Sequence, residues 1–226
     1  YQYYPMHIQV LGETTYGDSS VPKTDYRYFH IFEDEAFIYD PRLLWRPNPN
    51  YKVYRNGKTI NFFNALGYPG PVFTPDNAEG TYRIIALGDS NTLGIDDYDL
   101  QTGREISWPA YLGNLLGNKF FVINGGAWGY SSYQIQQKFY SVLKYKPSLI
   151  IASGSSNDTH MVGVSDRHYS FAQIVKIQLL MHSKLTQLVQ SVLDKVRHDS
   201  DTLTPRVSRE EYREILYDLI NQSSQH

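Results

Sequence analysis

The chain is expected to fold as an α/β protein, a parallel sheet covered by helices, preceded by a small loop-rich β unit. Three observations predict this. Beyond residue 80, three nearly continuous apolar runs alternate with stretches of helical period, the texture of strand-then-helix units. From residue 1 to about 78 the sequence is aromatic and proline-rich, with short alternating runs and no helical period. Between the two, Tyr68-Pro69-Gly70-Pro71 and Thr74-Pro75-Asp76-Asn77 punctuate the chain, because proline fixes φ and biases its predecessor against helix. The expected division is 1–78 for the β-rich unit and 79–226 for the α/β domain.

Within the first unit the clearest element is Tyr51 to Phe62, two alternating runs joined by Asn56-Gly57. Both central residues of a type I′ turn need positive φ, which Asn and Gly tolerate, so a hairpin is predicted. In the second unit the strands are read at Tyr82–Leu87, Phe120–Asn124 and Ser148–Ala152, each apolar almost throughout, as strands buried on both faces are. A helix is read from Trp108 to about Leu116 and another from Ser131 to about Lys146. In the latter, Ile135, Phe139, Val142 and Leu143 recur at three- and four-residue spacing. A long helical stretch follows from about Phe171 to Val196. The last helix opens at Ser208-Arg-Glu-Glu211, a capping box in which the serine hydroxyl and the glutamate each satisfy an orphan backbone N–H, and runs to about Ile220.

Composition narrows the function. The 226 residues include 16 Gly and 11 Pro, with 41% hydrophobic and 19% charged, the make-up of an ordinary soluble globular protein. Twenty-one Lys and Arg stand against 23 acids, a net charge of -2, so no basic field points to nucleic acid or an anionic membrane. The absence of cysteine removes disulfides, thiolate catalysis and Cys-ligated zinc. No window approaches the roughly 18 apolar residues of a membrane span. The chain starts at Tyr1 and not Met, so a segment ahead of it is expected, and a leader or tether would lie there.

Ligands of open parallel sheets bind beyond the carboxyl ends of the strands. The loops there read Gly88-Asp89-Ser90-Asn91-Thr92-Leu93-Gly94, then Gly125-Gly126-Ala127-Trp128-Gly129-Tyr130-Ser131-Ser132, then Ser153-Gly154-Ser155-Ser156-Asn157-Asp158-Thr159-His160. They offer a hydroxyl at a strand-to-helix turn, a glycine N–H unobstructed by a side chain, and an asparagine amide. That set is a nucleophile with donors for a developing oxyanion.

With those residues in view, Tyr82 to Asn157 resembles the SGNH (GDSL-type) hydrolase superfamily. Gly88-Asp89-Ser90 matches its first block, Gly129 its second, and Asn157-Asp158 its third; three blocks in order, each after a predicted strand, make the match specific. Leu43 to Asn50 and Asn61 to Gly70 also resemble an N-terminal extension of a subset of these proteins, often exported or membrane-tethered. The resemblance implies a flavodoxin-like three-layer α/β/α fold and an ester substrate, a small molecule or carbohydrate, attacked by Ser90. The Ser90 and Gly129 N–H groups and the Asn157 amide would hold the oxyanion, aided by a helix N-terminus after Ser90. Cofactors are none. The expected location is extracytoplasmic.

Two departures from the pattern stand out. The family's loop glycine falls at Ser155, and its Asp-X-X-His motif, the source of the general base, occurs nowhere in the chain. Three strands are also few for this many helices, and the final helix has no strand after it. One cause covers both: the C-terminal part of the domain is expected to lie outside this chain, with the base.

Each residue also has a plainer reading. Ser90 could cap the next helix, Gly129 could permit a tight turn, and Asn157 could fix a loop. Asp89 is read as a turn-stabilising carboxylate and Asp158 as structural. His160, on the Asn157 loop, is a substitute base or a substrate contact, and Trp128 a pocket wall or a packing residue. Asp166-Arg167-His168 and His198-Asp199 rank lower as sources of a base. The esterase reading leads. An O-acetyltransferase acting on a glycan and an inactive binding module with the same fold are the alternatives.

Overall fold

In the computed structural model the described residues are 35–55, 58–94, 98–99, 104–105, 107–169, 172, 185 and 204–223. The expected Phe171–Val196 helix, the Asn56-Gly57 turn, His198-Asp199 and residues 1–34 lie outside the described residues, apart from isolated positions 172 and 185.

The fold is mixed α/β, with a three-stranded parallel sheet flanked by helices. In chain order its elements begin with β1 (Phe37–Asp40), β2 (Leu44–Pro47), β3 (Lys52–Arg55) and β4 (Lys58–Asn61). There follow β5 (Tyr82–Gly88), the single turn α1 (Ser90–Leu93), the two-residue strands β6 (Tyr98–Asp99) and β7 (Arg104–Glu105), and α2 (Trp108–Leu116). The rest are β8 (Phe120–Gly126), α3 (Ser132–Val142), β9 (Leu149–Ser153), β10 (Met161–Val162), β11 (Thr204–Pro205) and α4 (Arg209–Ser223). The main sheet has the order β8-β5-β9, all parallel. Second–first–third is the start of the flavodoxin-like winding.

The expected hairpin forms: β3 and β4 pair antiparallel with Arg55 opposite Lys58, which leaves a two-residue connection. β1 and β2 make a second antiparallel pair. The Asp40 carboxylate stabilises their turn by accepting from the N–H groups of Arg42 and Leu43, both at 2.9 Å. Asn64 shapes the proline-rich stretch. Its Oδ1 accepts from Leu66 N at 2.8 Å and Tyr68 N at 3.2 Å, while its Nδ2 donates to Pro71 O at 3.0 Å.

The three main strands lie where their apolar runs place them, but their burial differs from the expectation. The central strand β5 is buried from Arg83 to Gly88. Its Ile84, Ile85 and Leu87 each contribute on the order of 1.5–3 kcal/mol by leaving water. β9 is apolar in sequence yet sits at the sheet edge, with Leu149, Ala152 and Ser153 exposed, because no described strand pairs its outer side. The helix after β8 is shorter than expected. It ends at Val142, continues as a 3-10 turn through Tyr145, and stops where Lys146 takes a left-handed φ of 50°. Ile135, Phe139 and Val142 do form its buried stripe. Ser131 caps it in a box with Gln134, and α4 opens with the expected box, Ser208 N donating to Glu211 at 2.7 Å and Glu211 N to Ser208 at 3.2 Å.

One buried cluster runs through both parts of the chain, from Ala36, Phe37, Leu44, Trp45, Phe62 and Phe63 to Ile85, Leu87, Tyr130, Phe139 and Val142. Arg83, nearly buried, ties the connecting segment down by donating to the carbonyls of Pro75, Asp76 and Tyr145. Among the described residues no helix is long and apolar enough to cross a membrane.

Candidate active site

The site is built at the carboxyl end of the parallel sheet. β5, β8 and β9 end level with one another, Gly88 lying opposite Gly126 on one side and Ser153 on the other. Gly125 and Gly126, read as loop from the sequence, are the last residues of β8. The glycines are there for space. A Cβ on Gly126 would stand 2.3 Å from Leu93 N, and one on Gly88 would stand 2.0 Å from Thr92 Oγ1, so α1 can close onto the strand ends only where side chains are missing.

Three loops leave this edge and meet. The Ser156 hydroxyl donates to the Asp89 carboxylate at 2.6 Å, and the Asn157 amide donates to the Tyr130 carbonyl at 3.0 Å. The sequence neighbour of Ser90 therefore touches that of Asn157, and Asn157 touches that of Gly129. Asp89 is the residue that caps α1, accepting from Asn91 N at 2.9 Å, so the capping role considered for Ser90 belongs to its neighbour. α1 is a single turn closed by Gly94 in the left-handed region, too short for a helix dipole to add much at Ser90, contrary to the expectation.

Among the described residues the N–H groups of Ser90 and Gly129 have no acceptor, the Ser90 hydroxyl makes no hydrogen bond, and Asn157 uses one of its two amide hydrogens. Gly129 has φ +69°, so the turn itself also requires glycine there.

The peptides flanking Gly129 are held by residues distant in sequence. Trp45 Nε1 donates to the Trp128 carbonyl at 2.8 Å, and the Tyr130 hydroxyl donates back to the Trp45 carbonyl at 2.9 Å. Arg206 Nη1 donates to the Gly129 carbonyl at 2.7 Å and its Nη2 to Gln134 Oε1 at 2.8 Å. The same guanidinium pairs with Asp166 at 2.7 Å, with side chains 2% and 0% exposed, and lies 5.5 Å over the Trp45 ring. Nothing in the sequence marks Trp45, Asp166 or Arg206 for this role, because no local period connects them; Trp45 lies in the Leu43–Asn50 segment of the extension resemblance, and Asp166 in a low-ranked source of a base.

The Asn157 loop is organised differently. The buried Asp158 accepts from Ser132 N at 2.8 Å, and burial raises its pKa, partly offset by that hydrogen bond. This is the structural role read for it. Backbone bonds from Arg206 N to His160 O at 2.9 Å and Val207 N to Asp158 O at 3.2 Å, beside the β10–β11 pair, close the loop. His160 is exposed. His168, a weaker candidate base, faces Ser165 Oγ at 2.8 Å and Glu211 at 3.8 Å. The Trp128 ring packs on Phe37 and Phe62, with centroids 5.2 and 6.3 Å away, and its Nε1 is buried without a partner. It thus packs against residues of the N-terminal part of the chain, at the edge of the shared buried cluster. Among the described residues no three His, Asp or Glu side chains gather as a metal site.

Fold and loops together make an α/β protein in which the loops carrying Ser90, Gly129 and Asn157 meet beyond the carboxyl ends of a parallel sheet. No family model matches the chain. No curated protein matches it either. Similar solved structures include AlinE4, described as an SGNH-hydrolase family esterase, and two mutants of that esterase. Each is 18% identical, with 66% of this chain and 98% of that chain covered, at a TM-score of 0.30. A likeness this slight leaves the chemistry to be argued from the site.

Proposed function

We propose that the protein is a serine esterase that cleaves a small acyl ester, O-acetyl on a carbohydrate being the substrate class the sequence resemblance implies. The observation that carries the reading is the convergence of the three loops, with the Ser90 and Gly129 N–H groups and one Asn157 amide hydrogen unengaged among the described residues.

In this reading Ser90 Oγ bonds to the acyl carbon while its proton passes to a base. The carbonyl oxygen takes the negative charge against the three donors, each worth on the order of 3 kcal/mol of barrier. The alcohol leaves with a proton, and water then releases the acid and restores the serine. No described side chain is hydrogen-bonded to Ser90 Oγ. His160 is read as flanking the substrate. Turnover of p-nitrophenyl acetate tests the proposal. Ser90→Ala is expected to lower kcat by about a thousand-fold or more, with labelling by a fluorophosphonate lost; equal rates in parent and variant would remove Ser90 from the mechanism.

A further inference from the structure

We propose that Trp45, in the N-terminal unit, and Arg206, held by Asp166, are positioning residues that aim the Gly129 N–H at the oxyanion. The inference rests on the esterase reading for its catalytic consequence, and on hydrogen bonds alone for its geometry. The Gly129 N–H belongs to the same peptide unit as the Trp128 carbonyl. In a planar trans peptide the two groups point in opposite directions, so whatever fixes the carbonyl fixes the N–H. Trp45 Nε1 fixes it at 2.8 Å from an indole that is itself fully buried. The bond also polarises the amide and so strengthens the N–H on its far side.

The next peptide is held from the other side, where Arg206 Nη1 donates to the Gly129 carbonyl at 2.7 Å. Glycine in the left-handed region has two soft dihedrals and no side chain to restrain them. One clamp before the residue and one after it remove that freedom. Arg206 can serve as the second clamp because its planar fork is already anchored. It bonds Asp166 through Nε and Nη2, and Gln134 through Nη2, leaving Nη1 for the glycine carbonyl. The guanidinium also lies over the Trp45 ring, so the two clamps brace one another. The β-rich unit thereby acquires a part in the chemistry: one of its side chains sets a donor of the other unit.

Trp45→Phe keeps most of the ring and deletes the donor; Arg206→Lys keeps the charge beside Asp166 and loses the fork. For each, kcat and KM with p-nitrophenyl acetate are measured together with the backbone amide resonance and hydrogen exchange of Gly129. The expected result is a kcat about 10- to 100-fold lower with KM within about twofold, and a Gly129 amide that shifts and exchanges faster in both variants. An unmoved Gly129 amide in both would overturn the proposal whatever the rates do. So would a moved amide with kcat unchanged. Should Ser90→Ala turn over ester as fast as the parent, the esterase reading fails by itself, and the amide measurement still decides whether these side chains orient Gly129.

Discussion

The loop after β8 and the loop after β9 meet beyond the carboxyl ends of the sheet yet are held in different ways. Trp128 to Ser131 is fixed by side chains from far along the chain: Trp45, 83 residues before Trp128, and Arg206, 77 residues after Gly129. Tyr130 and Ser131 in it are fully buried. Gly154 to His160 is mostly exposed and is held by near neighbours in space, through the Asp158 carboxylate, the Ser156 hydroxyl and backbone bonds from residues 206 and 207. The difference teaches that the Gly129 turn is set by outside side chains gripping its backbone carbonyls, whereas the Asn157 loop is set by its own side chains and carbonyls reaching other segments. Residues 204–208 serve both loops, offering the first a side chain and the second a backbone.

Removing the brace is the largest perturbation available. Arg206→Met removes the guanidinium that pairs with the fully buried Asp166, and breaking one side of a buried pair costs about 3–5 kcal/mol. The midpoint of urea unfolding, at unchanged slope, reads this directly. Next in size is a pH effect on the seam that carries the first loop. Lys138 of α3 is buried with its ammonium 4.3 Å over the Tyr68 ring, and burial pulls its pKa from 10.5 to about 8, Tyr145 and Asp40 opposing the shift. Between those values the unfolded chain holds a proton that the folded chain has shed. Stability therefore rises with pH through this window, by on the order of 3 kcal/mol in full. Burial raises Tyr68 and Tyr130, which makes stability fall once unfolded tyrosines ionise near pH 10. The rise is thus visible from about pH 8 to 10 in urea midpoints, and Lys138→Met is expected to flatten it.

The contrast between the loops also separates what the sequence discloses from what it hides. Strands at 82, 120 and 149 are legible because long apolar runs bounded by glycine or polar residues have few other uses. The Ser208–Glu211 box and the β3–β4 hairpin are legible because their signals are local, lying within one short stretch of chain. The three candidate residues are read from the loops that follow those strands, and the structure joins those loops through Ser156–Asp89 and Asn157–Tyr130. The braces leave no such trace. A tryptophan in a proline-rich stretch and an arginine after a proline become partners of one glycine only once the fold has formed. The exposure of β9 is hidden for the same reason, since apolar residues describe a strand's preference and not what lies beside it.

In the second loop, Asp158→Ala deletes the acceptor of the Ser132 N–H and leaves a buried donor unpaired, which costs about 1–3 kcal/mol. If the loops are held independently, this variant frees the Asn157 segment to limited proteolysis while the Gly129 amide resonance stays in place.

The smallest effect is expected at Ser208, where the segment shared by the two loops passes into α4. Its hydroxyl accepts from Glu211 N at 3.2 Å and its own N–H donates to the Glu211 carboxylate at 2.7 Å, so the box fixes the direction in which the chain leaves Arg206 and Val207. Ser208→Ala removes one of the two bonds, and a lost cap costs about 1 kcal/mol. The backbone donors of 206 and 207 lie next to the cap, whereas the Arg206 guanidinium is anchored separately by Asp166. Fraying here should consequently reach the Asn157 loop first. Hydrogen exchange in Ser208→Ala is expected to quicken at Arg206 and Val207 and to leave Gly129 and Tyr130 as slow as in the parent; equal acceleration at all four amides would show that the two loops move as one body.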